Sequence, residues 1–220
     1  MPGAASITFG ERRLGFGFHD GADWSQHMNS SWLKKFPFKV QAIGSIDDGL
    51  LVTREVGDDT KEAICRQLVA LTLNTVMELD FSNIRFIDVS CADEVVVRVL
   101  ARLEASEFPD RFMILTNVQE QHVENIDVAL KVAKKAVLVR NEQGWRILGE
   151  LVTSFRDALG SVVESKEITA NELKQKMGYA TINQASTILS TLYDKRLVAR
   201  MPFREAVPGG GRQFKYLSLI

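Results

Sequence analysis

The chain is poor in the residues that hold covalently or metal-stapled folds together, with 2 cysteines and 3 histidines in 220 residues. Cys65 and Cys91 fall at helical positions read as buried, where a free thiol acts as a small hydrophobe, so no disulfide is expected. His19, His27 and His122 are too scattered to make a metal-ligand spacing with them, and neither a metal nor another cofactor is expected. Long apolar runs are missing too. No stretch approaches the ~20 residues needed to cross a bilayer, and MPGAASITFGERR lacks the apolar segment of a signal peptide; a cytoplasmic location without membrane contact is the expectation. Catalytic constellations are also wanting. Asp80 and Asp88 look like cooperating carboxylates, but they bracket a turn without a neighbouring nucleophile, base or metal ligand. Gly209, Gly210 and Gly211 lead into no helix, as a P-loop requires. The chain is read as a non-enzyme.

What is present is ordinary globular material, 45% hydrophobic and 25% charged, able to bury a core. The length exceeds the ~150 residues of a typical domain, which argues for one domain plus an appended module. The net charge of −1 conceals a division. From Trp145 onward eleven Lys and Arg face seven Asp and Glu, leaving sixteen against twenty-one before it. A basic tail suits an anionic partner.

The organising stretch is 76–103. Val76, Met77 and Leu79 form an apolar run, and Asp80, Phe81, Ser82 and Asn83 interrupt it with turn-forming side chains. Ser90 stands three residues before Asp93, a capping-box spacing, and Val96, Val99, Leu100 and Leu103 recur at helical intervals. This predicts strand, turn, cap on Ser90, and buried helix. Upstream, residues 38–43 and 50–53 suggest an antiparallel pair in the sheet, Pro37 a helix end, and Asp59 or Thr60 the cap of a helix carrying Ile64, Leu68 and Leu71. Downstream, 112–115 reads as a buried strand. Val123, Ile126, Leu130 and Ala133 mark a helix, and 136–140 with 145–148 flank a hairpin turn at 141–144. Strands alternating with helices imply an α/β fold, a mixed sheet covered by helices. Residues 1–36 form an extension whose glycines suggest a hairpin around Phe9 and Phe16, with Asp23 capping a short helix.

Leu79-Asp80-Phe81-Ser82, Phe86-Ile87-Asp88 and Ser90 resemble the STAS (sulfate-transporter and anti-sigma-factor-antagonist) domain over residues 37–149. Ala92-Asp93-Glu94 is closer to the bacterial STAS-like domains of unknown function than to the antagonists. The resemblance implies a sensing or dimerising module, a homodimer, and a protein kinase or anti-sigma-like partner. It also implies phosphorylation at Ser90, against which stand Cys91 in place of the usual glycine and the charges of Asp93 and Glu94.

Residues 150–220 turn helical. Leu151, Phe155, Leu159 and Val162 share one face, and Thr169 with Glu172 makes a capping box for a second helix that Gly178 ends. A third helix runs from about Thr181 to Lys195, with strands at 197–201 and 214–219 around a glycine-rich turn. This order resembles the winged helix-turn-helix of bacterial regulators. On the third helix Ile182, Ala185, Ile188, Leu189 and Leu192 fall inward, while Asn183, Gln184, Thr187, Ser190, Thr191 and Asp194 face outward, with Thr181 at the entry of the same surface. Asn and Gln can read adenine in the major groove and Thr can meet a thymine methyl. Arg200, Arg204, Arg212, Gln213 and Lys215 would then lie against phosphates. The plain alternative is a solvated helix face, since no Lys or Arg precedes Lys195 on it. Two readings follow: a regulator whose STAS-like module controls a winged helix bound to double-stranded DNA, or a non-enzymatic adaptor of the antagonist type.

Overall fold

The computed structural model describes residues 32–40, 49–203 and 213–220. Trp32–Ile220 form one compact unit. The expected hairpin near Phe9 and the Asp23 cap lie outside the described residues. The fold is mixed α/β. Strands β1 (Lys34–Lys39), β3 (Thr75–Asp80), β5 (Arg111–Thr116) and β6 (Ala136–Asn141) run parallel in that order, and β7 (Gly144–Gly149) closes the sheet antiparallel to β6. Between them stand α1 (Arg54–Ala70), a second helix made of α2 (Val89–Ala92), a π-helical segment (Asp93–Arg98) and α3 (Val99–Glu104), and α4 (Glu120–Val132). A short parallel pair, β2 (Leu50–Leu51) with β4 (Phe86–Ile87), lies apart from this sheet. After β7 come α5 (Thr153–Ser165), β8 (Glu167–Thr169), α6 (Ala170–Met177), α7 (Ile182–Asp194), β9 (Val198–Phe203) and β10 (Gln213–Ser218), with the strands in the order β8-β10-β9.

Strand side chains alternate between faces, and here both faces are covered. Met77, Leu79, Met113, Leu115, Val137 and Val139 enter one core with Ile64, Leu68, Val96, Leu100, Ile126 and Leu130. Their sequence neighbours Val76, Phe112, Ile114, Ala136 and Leu138 enter a second core with Leu159, Val162, Leu189, Leu192 and Val198. Double burial explains why these strands read as unbroken apolar runs. Where α1 crosses α2, a Cβ on Gly57 would meet Cys91 Cα at 3.0 Å. Glycine there accepts the cost of weak helix propensity in return for close approach. Beside this crossing the π-helical segment buries Glu94, which takes Arg54 at 2.9 Å and Lys61 at 3.3 Å.

Several local expectations are corrected. The anticipated antiparallel pair is not formed among the described residues, because β1 and β2 each find parallel partners. Phe36 and Phe38 align with Met77 and Leu79 and pack on the first core. Pro37 sits within β1 rather than ending a helix. Lys34 N and Val40 N donate inward to Asn74 and Asp80, so the intervening proline nitrogen points to the outer edge, where no donor is needed. Helix α1 begins six or seven residues earlier than the cap at Asp59 or Thr60 would place it, capped by Thr53, while Thr60 lies buried within it and donates to Val56 O.

The two cores meet at Arg196. This residue adopts φ 58° and is almost wholly buried. Its Nε donates to Leu103 O at 2.7 Å and its Nη2 to Ser106 Oγ at 2.9 Å. Its guanidinium also lies over the Tyr193 ring, and the Tyr193 hydroxyl donates to Asp110 at 2.9 Å. Charged hydrogen bonds of this kind contribute roughly 1.5–3 kcal/mol each, and a carbonyl left uncovered costs more. Arg196→Ala is expected to lower the free energy of unfolding by about 2–4 kcal/mol, read from the urea midpoint at constant slope.

His122 supplies a pH dependence. It is fully buried, and its Nδ1 accepts from Gln119 N at the start of α4. Desolvation pushes the imidazole below its ordinary value, more than the carbonyls of Arg85 and Ile84 raise it. The unfolded chain takes up this proton near pH 6.5 while the folded one resists it. Stability is therefore complete above that pH and declines as pH falls from there toward the lowered folded value, by up to about 1.4 kcal/mol per unit. His122→Leu is expected to lower stability by about 1 kcal/mol at neutral pH through the lost cap. It should also flatten the pH profile of the urea midpoint below about pH 6.5.

Candidate nucleic-acid interface

The outward face of α7 is positioned by two caps. Thr169 Oγ1 accepts from Glu172 N at 3.3 Å while the Glu172 carboxylate accepts from Thr169 N at 2.6 Å, the capping box that opens α6. Gly178 ends the helix in the left-handed conformation at φ 67°, which costs a glycine nothing. The chain then turns to Thr181, whose hydroxyl accepts from Gln184 N at 3.2 Å and caps α7. Thr181 is thus a cap as well as a surface residue.

Ala185, Ile188, Leu189 and Leu192 bury one side of α7, which leaves Asn183, Gln184, Ser186 and Thr187 exposed on its first two turns. The expected inward row begins one turn late, for Ile182 is 48% exposed. It precedes the point where the helix meets the second core. Ser186 belongs to the exposed group and was not singled out in the sequence, although helical spacing places it one turn on from Asn183.

The strand residues behave differently from the helix residues. Arg200 on β9 stacks its guanidinium 4.0 Å from the Tyr193 ring centroid and 4.7 Å from that of Phe214. Lys215 on β10 pairs with Glu167 on β8 at 2.7 Å. Gln213 opens β10 opposite Phe203 and is half-buried. Arg204 and Arg212 lie outside the described residues. The structure therefore brings Thr181, Asn183, Gln184 and Thr187 together on one exposed helical surface. It engages Arg200 and Lys215 with partners inside the C-terminal segment. The aromatic pair around Arg200 comes from two distant elements, a signal no local pattern carries.

Ser90 is not the cap that the spacing suggested. Asp88 takes that position, accepting from Cys91 N at 2.7 Å, from Ser90 Oγ at 3.0 Å and from Thr53 N at 3.0 Å. Thr53 itself stands at φ 75°, a strained value for a β-branched residue, held by this bond and by Cys91 Sγ on its carbonyl. Desolvation raises the Asp88 carboxyl, but the donors from Cys91, Thr53 and Ser90 outweigh it and hold the group below its usual range. A phosphate on Ser90 would replace the proton donated to Asp88 with negative charge. Among the described residues no group of His, Cys, Asp and Glu is placed to hold a metal ion, and no helix is long and apolar enough to cross a membrane.

No protein-family model, no curated protein and no solved structure matches the chain.

The turn at Asp88 orders two substitutions. Asp88→Ala removes the cap and the tether on Thr53 and is expected to cost about 1–2 kcal/mol. Ser90→Ala removes one hydrogen bond and should cost about 0.5–1 kcal/mol. Urea titrations of the two variants in parallel measure the order.

Proposed function

We propose that this chain is a regulator that binds duplex DNA through α7 and the β9–β10 wing, with residues 37–149 serving as a STAS-like sensing or dimerising module. One observation carries the reading. The order α5, β8, α6, α7, β9, β10, with β10 paired to both β8 and β9, sets a capped helix whose exposed turns display Asn183, Gln184, Ser186 and Thr187. These side chains have the geometry for major-groove readout: Asn and Gln bidentate to adenine, Thr against a thymine methyl. Arg204 and Arg212, which flank the glycine-rich turn in sequence, are the residues assigned to phosphates. Lys215 joins them only by leaving Glu167.

An adaptor role of the antagonist type is the second reading. It is favoured by the engagement of Arg200 and Lys215 within the C-terminal segment and by the absence of a Lys or Arg within α7. In that role the exposed turns of α7 meet a protein, and a kinase or anti-sigma-like partner is the class to seek.

Selection of bound duplexes from random DNA, followed by fluorescence anisotropy across a salt series, separates the two. On a selected site, Asn183→Ala or Gln184→Ala is expected to weaken binding by roughly 1–3 kcal/mol, with little change on unselected DNA. Arg212→Ala should weaken binding to every sequence and reduce the salt slope by about one unit. A homodimer would select two half-sites about 34 Å apart. Absence of duplex binding at low salt overturns the DNA reading and leaves the adaptor.

A further inference from the structure

Beyond the edge of the second core the sheet carries a cavity of about 370 Å³. Its wall is built from the last residues of three neighbouring parallel strands: Glu78 and Asp80 of β3, Thr116 and the following Asn117 at the end of β5, and Arg140 and Asn141 of β6. The register sets Asp80 beside Thr116 and Thr116 beside Arg140, so these three side chains emerge on one face in a row. The carboxyl ends of parallel strands are where open α/β sheets receive ligands. The row divides by charge, acidic over β3 and basic over β6, with a hydroxyl between.

This lining is not what folding alone requires. Glu78 pairs with Arg140 across β5 at 2.8 Å, the Glu78 side chain 12% and the Arg140 side chain 41% exposed, and an ion pair that reaches solvent on one side gives little net stability. The second carboxylate oxygen of Glu78, Oε1, is buried without a hydrogen-bond partner among the described residues. Asp80 Oδ1 accepts from Ser82 N at 2.9 Å and from Asn117 Nδ2 at 2.7 Å, which fixes the carboxylate at the cavity wall. Only Pro37 among the described lining residues is apolar, so nothing offers a stacking platform to a nucleobase or flavin. A simple anion would meet Glu78, Asp80 and Glu142, and a simple cation would meet Arg140. A ligand bearing both charges on neighbouring atoms answers both sides of the row.

We propose that this cavity binds a small zwitterion, an α-amino acid, with its ammonium toward Asp80 and its carboxylate on Arg140 and Asn141. The binding belongs to the α/β sheet and does not depend on whether α7 reads DNA. Charge-assisted hydrogen bonds at both ends supply orientation as well as affinity.

Amide correlation spectra of the full chain, recorded without DNA, test this with each common L-amino acid in turn and with methylammonium, acetate and glycerol as single-function controls. The expected result is saturable shifts from at least one amino acid, centred on Asp80, Thr116, Asn117 and Asn141, with affinity about tenfold above every control. Asp80→Asn keeps an oxygen for Ser82 and Asn117 but removes the charge, and should weaken that binding about tenfold. Arg140→Lys retains a cation for Glu78 but loses the planar fork. It should weaken amino-acid binding by a similar factor with an unchanged melting temperature, an independent reading should the first variant misfold. Equal binding by glycerol, acetate or methylammonium overturns the proposal. Silence from every amino acid at millimolar concentration, or full affinity in both variants, overturns it as well.

Discussion

Each residue of β3 and β5 must take one of two sides, and both sides are already occupied. Because the side-chain period is two, Met77 and Leu79 commit to the core under α1 and α4, and Val76 is thereby committed to the core under α5 and α7. A slip of one residue in either strand would exchange the two sets. The same alternation decides where polar groups are tolerated. Glu78, Asp80, Thr116 and Arg140 share the face of Val76, Ile114 and Leu138, but they stand at the strand ends, past the reach of the second core. Among the described residues, a sheet covered on both faces thus keeps an open corner, and these polar residues are gathered there.

Charge counts along the chain overstate what is available for recognition. Part of the Lys and Arg after Trp145 is already engaged: Arg146 pairs with Glu120, Lys176 with Glu164 and Lys215 with Glu167. Arg196 is buried and Arg200 is stacked between rings. Apart from Ile182, what reaches solvent on the first two turns of α7 is hydrogen-bonding capacity without charge, suited to reading an edge and poorly suited to holding a polyanion unaided, and the exposed Asp194 at the far end adds a negative charge.

Elements whose signals are local were legible in the sequence. The hairpin of β6 and β7, the capping box at Thr169 and the stop at Gly178 each rest on residues within four positions of one another. The outward face of α7 followed from helical spacing alone. Parallel pairing was not legible, since β1 and β2 find partners across an intervening helix or loop and no short pattern records it. Ser90 and Asp88 illustrate a tie between equally good local spacings, Ser90 to Asp93 and Asp88 to Cys91, broken by a bond from Thr53, 35 residues away. The strand β8 escaped notice because three residues leading into a capping box look like the box itself. The cavity was invisible for a related reason: Asp80 and Asn141 each read as ordinary turn chemistry until the sheet lines them up with Asn117.

Helix α7 is packed along its length through Ala185, Ile188, Leu189 and Leu192, and its side-chain hydrogen bonds to the segment after α3 lie at one end. Tyr193 and Arg196 tie its C-terminal turn to Asp110, Leu103 and Ser106, whereas Asn183 and Gln184 stand at the opposite tip. Its 13 residues span about 20 Å. A pivot of about 5° at the tethered end would sweep the tip through nearly 2 Å, several times the spread that a good hydrogen bond accepts. The segment between α3 and β5 is then one anchor of the helix, and a lengthened or shortened loop there would disturb the aim of the far end without changing any residue upon it.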